Sequence, residues 1–399
     1  MASMLMEMAW RMWRLHDARL LARMAAMGLR NLQAMCAFER RRQAGRHFPP
    51  FVFISITDTC NLRCQGCWVS QASPPRTLSA PTLDRLIQAC VSQGCRFFGL
   101  LGGEPLMHAG LWSVLARHQD CYFQLFTNGL LLDDTVARRL RRLGNVTPLL
   151  SIEGLDQVAD VRRGGRSVFR RTVAGLEAAR SQRLITGVAT SVCASNFAEV
   201  VSPAFVKAVM ARGVAYLWYY IYRPVGPRPH PELCLSREQI VALRRFIVEM
   251  RTRVPLIIVD AYWDAEGRAL CPAAVGISHH ISPDGAIEPC PVVQFADRDI
   301  GDGGDVVEAI ATSDLLARFR TEVPQHTRGC VLLEDRPCLE AVVEASGARD
   351  SSGRGVGLDE VRAVGPHAGH DLAGDEIPEQ AWLYRMAKRR WFFGFGAYG

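Results

Sequence analysis

From Phe51 onward, short apolar runs alternate with stretches in which apolar residues recur every three or four positions. Runs rich in β-branched and aromatic residues predict strands, and a period near 3.6 predicts amphipathic helices. The predicted strands are Phe51–Thr57, Arg96–Leu101, Cys121–Thr127, Thr147–Ile152, Ile185–Val192 and Val214–Tyr222. The predicted helices between them are Ala80–Gln93, Leu111–Arg117, Asp133–Leu143, Ser167–Arg180 and Phe197–Arg212.

Repeats of this kind predict parallel strands joined by right-handed crossovers, and therefore an α/β fold. A partial or complete barrel and a doubly wound sheet both satisfy the pattern. In either architecture functional groups lie at the carboxyl ends of the strands. The residues that directly follow each predicted strand are therefore the candidates for a site.

The first 48 residues predict an amphipathic helical segment. Met8, Met12 and Leu15 recur near helical spacing, whereas Arg11 and Arg14 interrupt any continuous apolar run. No run reaches the roughly 20 apolar residues of a membrane span, and the charges disfavour a signal peptide. The segment either packs on the body of the protein or lies as a basic helix on a membrane surface.

A turn-rich stretch at 223–231 predicts a domain boundary. Residues 49–230 then form the core that carries the repeats, and residues 231–345 form a small extension. Residues 346–377, rich in Gly, Asp, Arg and Ser, predict a flexible linker, and residues 378–399 form a basic, aromatic tail. We therefore predict a partial (β/α)6 barrel similar to a TIM barrel, with a small C-terminal α+β extension.

Composition narrows the class of protein. Of 399 residues, 49% are hydrophobic and 22% are charged, as in ordinary globular chains. The formal net charge of +7 permits contact with anionic surfaces, but we expect no nucleic-acid partner. The 13 cysteines are unusual, because an odd number without a secretory signal disfavours a disulfide framework. We expect metal or cluster ligation in a reducing compartment, the cytoplasm.

Three cysteines follow the first predicted strand in the pattern Cys60-Asn-Leu-Arg-Cys64-Gln-Gly-Cys67. Three thiolates at this spacing can hold three irons of a cubane cluster and leave the fourth iron open. A structural zinc site is the alternative, although zinc usually takes a fourth ligand at suitable spacing. The pattern resembles that of the radical S-adenosylmethionine (radical SAM) superfamily. The resemblance implies a partial barrel, a [4Fe–4S] cluster and S-adenosyl-L-methionine chelated by the open iron.

Motifs after the later strands strengthen this resemblance. Leu101–Pro105 is similar to the GGEP segment of the family, whose small residues allow close backbone approach. A segment at 162–169 is similar to the family's arginine-containing stretch, and its guanidinium groups can pair with a carboxylate. Neighbours of Arg163 are alternatives to it, and turn or cap roles are alternatives for the polar residues. The cofactor-binding set that the resemblance implies is Gly102, Gly103, Glu104, Pro105, Asn128, Ser151, Glu153 and Arg163.

One position departs from the family pattern. Many members have an aromatic residue immediately before the third cysteine, where this chain has Gly66, and Trp68 follows the cysteine. The departure leaves the contacts of the adenine unassigned.

A second cysteine set lies in the extension. Cys271, Gly285 and Cys290 form a C-x13-G-x4-C pattern that resembles the opening of a SPASM or twitch extension, which houses an auxiliary iron–sulfur cluster. Cys330 and Cys338 would complete four ligands. A degenerate extension without a cluster and a zinc site are the alternatives. Packing is the predicted role of the other cysteines, which are Cys36, Cys90, Cys95, Cys121, Cys193 and Cys234.

The resemblance also implies an activity. An electron enters the cluster and reductively cleaves S-adenosylmethionine, and the resulting 5′-deoxyadenosyl radical abstracts hydrogen from a substrate. We expect an oxidoreductase that oxidises or cross-links a peptide or a small metabolite, with flavodoxin or ferredoxin as electron donor. The alternatives are a methyl- or sulfur-transferring relative, modification of a membrane lipid or isoprenoid, and a non-catalytic iron–sulfur or zinc-binding scaffold. No catalytic residue is assigned.

Four aromatic residues alternate along the sixth predicted strand and share one face: Tyr216, Trp218, Tyr220 and Tyr222. They line a substrate cavity or pack against helices. Candidate proton acceptors near the extension are Asp260, Asp264, Glu266, His279 and His280. His367 and His370 fall in the predicted linker and are expected to be solvated. The aromatic and basic tail, with the N-terminal helix, indicates either packing on the barrel or peripheral contact with a membrane.

Overall fold

The computed structural model of the protein describes residues 2–260, 262–301 and 304–391. Among these residues, the main sheet has nine strands in the order β7-β6-β5-β4-β3-β2-β1-β8-β9. Strands β1 to β8 pair in parallel, and β9 is antiparallel to β8. The strands are β1 Phe51–Thr57, β2 Phe97–Gly102, β3 Tyr122–Thr127, β4 Val146–Ser151, β5 Gly187–Val192, β6 Tyr216–Ile221, β7 Ile257–Asp260, β8 Ser278–Ile281 and β9 Ile287–Glu288, and a separate antiparallel pair is β10 Phe295–Ala296 and β11 Arg349–Asp350.

Helices precede the sheet, connect its parallel strands and form most of the extension. They are α1 Ala2–Leu15, α2 Ala18–Gln43, α3 Ala80–Ser92, α4 Leu111–Arg117, α5 Asp134–Leu143, α6 Asp156–Arg163, α7 Val168–Ser181, α8 Phe197–Val200, α9 Pro203–Ala211, α10 Arg237–Arg253, α11 Pro272–Val275, α12 Val306–Ala311, α13 Asp314–Thr321, α14 Val323–His326, α15 Val331–Glu334, α16 Arg336–Ala345, α17 Gly357–Ala363 and α18 Trp382–Met386. Short 3₁₀ turns occur at Pro105–Met107 and Pro231–Leu233, and Ala387–Trp391 is a π-helical turn.

The predicted α/β class and the six predicted strands are confirmed, with ends that shift by one or two residues. The predicted helix Phe197–Arg212 is instead two helices, α8 and α9. Pro203 occupies the first turn of α9, and the side chain of Ser202 caps that helix by accepting from the Phe205 N–H. A proline in the first turn of a helix loses no internal hydrogen bond, which places the break here. Helix α6 was not predicted at all.

The sheet is open, because β7 and β9 at its two ends do not pair within the described residues. Strand β8 belongs to the predicted extension, yet it adds in parallel to β1, with Phe51 opposite Ser278 and Ile54 opposite Ile281. The extension therefore continues the sheet of the core. Its small second core, built on β10 and α13–α17, packs at the carboxyl ends of the strands around Leu315, Phe319 and Leu339.

The N-terminal segment forms two helices. Asp17 accepts a hydrogen bond from the Arg19 N–H and begins α2 there. Buried residues of α2 such as Leu20 and Phe38 pack on the sheet, so this helix lies on the body of the protein. None of the described helices combines the length and the apolar character that crossing a membrane requires.

Residues 346–377 differ from the flexible linker that their composition predicts. Strand β11 pairs with β10, and Ser351, Ser352, His370 and Leu372 are buried. Aspartate and arginine side chains hold the turns: Asp350 accepts from the backbone of Ser352, for example. The polar side chains of this segment accept hydrogen bonds from the backbone of its own turns. The backbone can therefore be buried without losing its hydrogen-bond partners.

Buried ion pairs attach the described part of the C-terminal tail to the sheet. Arg244 and Arg251 of α10 face Asp260 at the end of β7, with nitrogen–oxygen distances of 3.3 and 2.8 Å. Glu379 joins both arginines, and Lys388 lies 3.3 Å from Asp260 and 3.1 Å from Glu379. All five side chains are at most 1% exposed. Of the two alternatives for the tail, packing on the body of the protein describes it as far as Lys388. Residues 392–399 lie outside the described residues.

Candidate active site

A cavity of about 770 Å³ opens at the carboxyl ends of the parallel strands. Loops that follow β1, β2, β3, β4 and β6 form one side of it, and residues 271–273, 290–292 and 352–354 form the other. Arg63 and Arg228 line the cavity and are exposed, so it reaches the protein surface. This is where a parallel α/β sheet is expected to present its functional groups.

The first cysteine set lies on the loop after β1, and all three thiols line the cavity. The Cys67 N–H donates to the Cys64 carbonyl at 3.3 Å, which folds the loop back on itself. Helix α6 holds it: the Gln65 N–H donates to the Arg162 carbonyl, and the Arg162 side chain donates to the Gln65 carbonyl at 2.8 Å. Burial raises the pKa of the Cys60 thiol and raises that of Cys67 to about 12.

Gly66 fits a close contact within this loop. Its φ is +67°, and a Cβ placed there would lie 2.8 Å from Cζ of Tyr222. The Tyr222 hydroxyl donates to the Pro229 carbonyl, and the Arg162 guanidinium stacks over its ring. The aromatic ring of Tyr222 therefore occupies the space beside the third cysteine, and glycine is the residue that admits it.

The glycine pair after β2 packs against the strand that leads to the first cysteine. A Cβ on Gly102 would collide with the Thr57 carbonyl, and one on Gly103 would lie 2.7 Å from the Asp58 carbonyl. The Gly103 N–H donates to the Thr57 carbonyl at 2.8 Å. Both glycines line the cavity, so their backbone is accessible to a bound ligand.

Glu104 and Pro105, predicted as cofactor-binding residues, are buried behind the cavity wall and do not line it. The Glu104 carboxylate accepts from the Leu106 N–H, the Thr127 hydroxyl and the Asn128 N–H at 2.8–3.1 Å. Burial raises the pKa of Glu104. In this structure, Glu104 ties the end of β2 to the end of β3.

The other predicted polar residues line the cavity. Asn128 donates to the Asn61 side chain at 2.7 Å and lies 3.9 Å from the Cys60 sulfur. The Arg163 guanidinium donates to the Cys64 sulfur at 3.5 Å and to the Ser151 carbonyl at 3.3 Å.

Glu153 completes this side of the cavity. Its Oε1 lies 3.9 Å from Nη1 of Arg163, and its Oε2 accepts from the Ser191 N–H at 2.6 Å. Burial raises the pKa of Glu153, and the charges of Arg163 and Arg162 oppose that rise.

The donor set fits an iron–sulfur cluster better than a single zinc ion. Within the described residues, the sulfurs of Cys60, Cys64 and Cys67 do not all lie within 4.8 Å of one another. Thiolates bound to one zinc ion at about 2.3 Å would do so. Each thiolate of a cubane binds a different iron, so wider spacing suits a cluster. These three residues would hold it, with the guanidinium of Arg163 beside one sulfur.

The second cysteine set faces the first across the cavity. Cys271, Cys290 and Cys330 line the wall, and Arg223 donates from Nε to the Cys330 sulfur at 3.4 Å. Burial raises the pKa of Cys271 to about 11 and that of Cys290 to about 12. Each side of the cavity therefore presents three thiols and one arginine that donates to one of the sulfurs.

Cys338, the fourth ligand that the sequence predicts, is not brought to this wall. It lies in the first turn of α16, where its N–H donates to Asp335, and its side chain packs in the core of the extension. Burial raises its pKa to about 11, and the other charges that act on it are those of Asp335 and Glu322. Cys330 is the N-cap of α15 and Cys338 lies in the first turn of α16, so the whole of α15 separates the two cysteines.

Of the aromatic residues predicted on β6, Trp218, Tyr220 and Tyr222 line the cavity. The rings of Trp218 and Tyr220 stack at 4.6 Å. Tyr216 lies away from the cavity and accepts a hydrogen bond from Gln124.

The candidate proton acceptors mostly have structural partners. His280 lies between Ser55 at 2.7 Å and Glu288 at 2.5 Å, and His279 contacts His47 at 3.1 Å. Asp260 belongs to the buried ion pairs. The remaining two are paired with arginines: Asp264 and Glu266. None of these five lines the cavity.

Sequence patterns missed several groups that line the cavity, among them Arg223, Arg354 and His370. His367 is partly buried, with Nε2 donating to the Val364 carbonyl. His370 is 2% exposed, and burial lowers its pKa to about 3. Arg354 donates to Ser70 at 2.6 Å and joins the loop after the first cysteine set to the supposed linker. Only the position of Arg223 directly after β6 signals such a role in the sequence.

Comparisons with known proteins concern the segment that carries the first cysteine set. The Radical SAM superfamily model matches residues 54–194, which contain the first cysteine set. The sporulation killing factor maturation protein SkfB of Bacillus subtilis is 27% identical over 157 residues, which are 39% of this chain and 38% of SkfB. A GTP 3',8-cyclase of Parasynechococcus marenigrum is 33% identical over 238 residues, covering 51% of this chain and 64% of the relative.

Among solved structures, Streptococcus suis SuiB bound to its precursor peptide SuiA superposes with a TM-score of 0.60 at 14% identity, over 71% of this chain and 69% of SuiB. This likeness concerns the fold. The chain spans less than two thirds of the length of the curated relatives named above. Residues 54–194, which contain the cysteine loop at the carboxyl end of β1, therefore match the Radical SAM superfamily.

Proposed function

We propose that the protein is a radical SAM enzyme that modifies a peptide. The observation that carries this proposal is the cavity whose wall presents Cys60, Cys64 and Cys67 on one side and aromatic side chains beside them. A cluster and S-adenosylmethionine bound there would supply a 5′-deoxyadenosyl radical, which abstracts a hydrogen atom from a nearby substrate. A non-catalytic scaffold has no use for such a cavity.

The residues of the chain would bind and orient the reactants. The backbone at Gly102 and Gly103 and the Asn128 side chain lie where a small cosubstrate would meet the cysteine loop. Trp218, Tyr220 and Tyr262 present apolar surface that excludes water from the opposite wall. Orientation and exclusion of water are what a protein adds to radical chemistry carried out by cofactors.

A peptide substrate is supported by the likeness to SkfB, which is named as a maturation protein for a killing factor, and by the fold shared with SuiB, whose structure contains a precursor peptide. The volume of the cavity, about 770 Å³, lies within the range of about 300–1,000 Å³ that small-molecule sites occupy. We further propose that Cys271, Cys290 and Cys330 hold an auxiliary cluster, which would accept an electron and favour net oxidation.

The test is anaerobic reconstitution with iron and sulfide, addition of dithionite and S-adenosylmethionine, and measurement of 5′-deoxyadenosine. We expect turnover by the wild type and none by the triple variant C60A/C64A/C67A. C36A is the matched control, since Cys36 is exposed and lies outside the site. Absence of 5′-deoxyadenosine from protein whose cluster is intact and reduced would overturn the proposal.

A small anionic metabolite is the second candidate substrate. Arg63 donates only to neighbouring backbone carbonyls, and neither it nor Arg228 makes an ion pair within the described residues. Two free guanidinium groups at the mouth suit a phosphate or carboxylate. GTP 3',8-cyclases among the relatives agree with this candidate. Loss of binding of a nucleoside triphosphate in R63A/R228A, with peptide binding retained, would favour the anionic metabolite as substrate.

The remaining partners follow from the proposed chemistry. The enzyme would take electrons from flavodoxin or ferredoxin in the cytoplasm, where thiols stay reduced. Peripheral contact with an anionic membrane is supported by one face of α1, where Met6, Trp10 and Trp13 are 56–67% exposed and Arg14 stacks on Trp10. In a flotation assay with phosphatidylglycerol vesicles, the wild type should rise with the lipid, whereas W10S/W13S should not. M107S, at another exposed apolar residue, should behave as the wild type does.

A further inference from the structure

His370 lies beside the second cysteine set and has no role in the site described so far. It is 2% exposed and lines the cavity together with Cys271, Cys290 and Cys330. A buried histidine on the wall of a cavity is unusual unless both ring nitrogens have partners, because an unpaired polar group costs desolvation free energy. Here one ring nitrogen, Nδ1, makes no hydrogen bond with any described residue.

The protonation state of the ring follows from its other contact. Nε2 of His370 lies 3.4 Å from the Leu270 carbonyl oxygen. A carbonyl oxygen only accepts hydrogen bonds, so Nε2 carries the proton, and in the neutral ring Nδ1 then holds a free lone pair. Metal-ligating histidines characteristically donate their second nitrogen to a backbone carbonyl in this way, which fixes the tautomer and the ring orientation.

Three chain segments that carry His370, Cys271 and Cys330 contact one another directly. Residues 369–371 reach 269–271 through the contact of His370 with Leu270. Residues 328–330 reach 269–271 through Arg328, whose Nε donates to the Ala269 carbonyl at 3.1 Å. They reach 369–371 because the Arg328 N–H donates to Asp371 at 3.1 Å. The contacts form a closed triangle of the segments that carry Cys271, Cys330 and His370.

The Glu334 carboxylate joins two of these segments, the one that precedes Cys330 and the one that carries His370. It accepts from the Asp371 N–H at 2.9 Å and from the Thr327 hydroxyl. It also fills the space next to two glycines, since a Cβ on Gly329 would lie 2.6 Å from its Cδ and one on Gly369 would collide with it. Gly329 directly precedes Cys330, and Gly369 directly precedes His370. One partly buried carboxylate therefore packs both segments together.

We propose that His370 is the fourth protein ligand of the auxiliary cluster, through Nδ1, with Cys271, Cys290 and Cys330 as the other three. The proposal rests on the auxiliary cluster of the proposed function. A neutral imidazole in place of a thiolate leaves the cluster with one negative charge fewer, which raises its reduction potential and makes it a better electron acceptor. Arg223, whose guanidinium donates to Cys330, acts in the same direction.

The two other cysteines of this region are less suited. Cys338 faces the core of the extension, as described above. Cys234 packs with Cys193, Tyr222 and Leu233 and does not line the cavity.

The experiment uses the full chain with C60A/C64A/C67A, so that any cluster present is the auxiliary one. The protein is made once with ¹⁴N-histidine and once with ¹⁵N-histidine, reconstituted anaerobically, reduced and measured for iron content and by pulsed EPR. We expect about four irons per chain and a nitrogen hyperfine coupling that changes with the isotope. Because this comparison needs no change at residue 370, it is independent of the folding of a variant.

Variants then assign the coupling to one residue. In the same background, H370A should lose the nitrogen coupling, and H370C should keep the iron while losing the coupling. H326A is the matched control, since His326 is half-exposed and paired with Asp335, and C234A tests the competing thiol. Both should retain the coupling.

The outcomes separate the two levels of the proposal. Iron content near zero in the triple variant would overturn the auxiliary cluster and the ligand assignment together, while formation of 5′-deoxyadenosine by the wild type would still support the proposed enzyme. Iron with no histidine coupling, or with a coupling that survives in H370A, would overturn the ligand assignment alone.

Discussion

Arg163 donates a hydrogen bond to the sulfur of Cys64 at 3.5 Å, and the same Nη1 lies 3.9 Å from the carboxylate of Glu153. A cation held at one cysteine of the first set stabilises negative charge on that sulfur. Because reduction adds an electron to a cluster held by these thiolates, the cation also favours the reduced state.

Replacement of Arg163 by glutamine should therefore lower the reduction potential of the proposed first cluster. We expect a shift of about 60 mV, which for a one-electron couple corresponds to about 1.4 kcal/mol. A redox titration followed by EPR measures it in a C271A/C290A/C330A background. R166Q is the control, since Arg166 is exposed. Equal shifts in R163Q and R166Q would show that only net charge matters.

The contact between Gly66 and Tyr222 predicts a steric effect. G66A forces a Cβ against the ring at a φ of +67°, so we expect it to destabilise the protein more than backbone strain alone does. Gly45 has a φ of +69° with nothing within 4 Å of its Cβ position, so G45A measures the strain alone, about 1 kcal/mol.

Urea unfolding of G66A, G45A and G66A/Y222A distinguishes these terms. Measured against Y222A alone, the double variant should show only the cost of the strain, without the steric part. A G66A variant that is no less stable than G45A would contradict the contact.

The second cysteine set predicts different iron contents for two substitutions. In the C60A/C64A/C67A background, C290A should lose the iron of the auxiliary cluster, because Cys290 lines the cavity. C338A should keep it, because the Cys338 side chain packs in the core of the extension. Iron and sulfide determination after desalting makes the comparison. Loss of iron in C338A with unchanged thermal stability would contradict the arrangement described here.

The buried ion pairs of the tail predict a dependence of stability on pH. Burial alone would raise the pKa of Glu379, but Arg251, Lys388 and Arg244 hold it well below its usual range. A lowered carboxyl pKa contributes stability that is present above the unfolded value, near 4.5, and is lost as pH falls through the folded value.

E379Q should remove this contribution and leave three buried cations with the single carboxylate of Asp260, at a cost of about 3–5 kcal/mol. Stability measured by urea from pH 7 to pH 3 should fall for the wild type, whereas the E379Q curve should be flatter. The control is E376Q, at an exposed glutamate. Parallel curves for all three proteins would refute the role of the ion pairs.

The parallel core was predictable because each of its strands is an apolar run between turn residues, and the first cysteine set because its spacing is local. Strand β8 escaped prediction since its sequence, SHHI, holds two histidines and its partner β1 lies more than two hundred residues earlier. Cys338 shows what cysteine spacing alone cannot predict. Spacing made Cys338 as good a candidate ligand as Cys330, but it does not indicate the direction in which a side chain in the first turn of a helix points. His370 shows a second limit of prediction from sequence. Its polar segment was predicted to be a flexible linker, but carboxylate and arginine side chains of that segment form its turns, and His370 is buried.

The pairing of β8 with β1 has a mechanical consequence. Strand β1 runs directly into the loop with Cys60, and β8 lies between Cys271 and Cys290 in the chain. Hydrogen bonds between two adjacent strands thus span both cysteine sets, so that neither can swing away from the other as a separate lobe could. The sheet itself therefore fixes the spacing of the two loops that carry the proposed clusters.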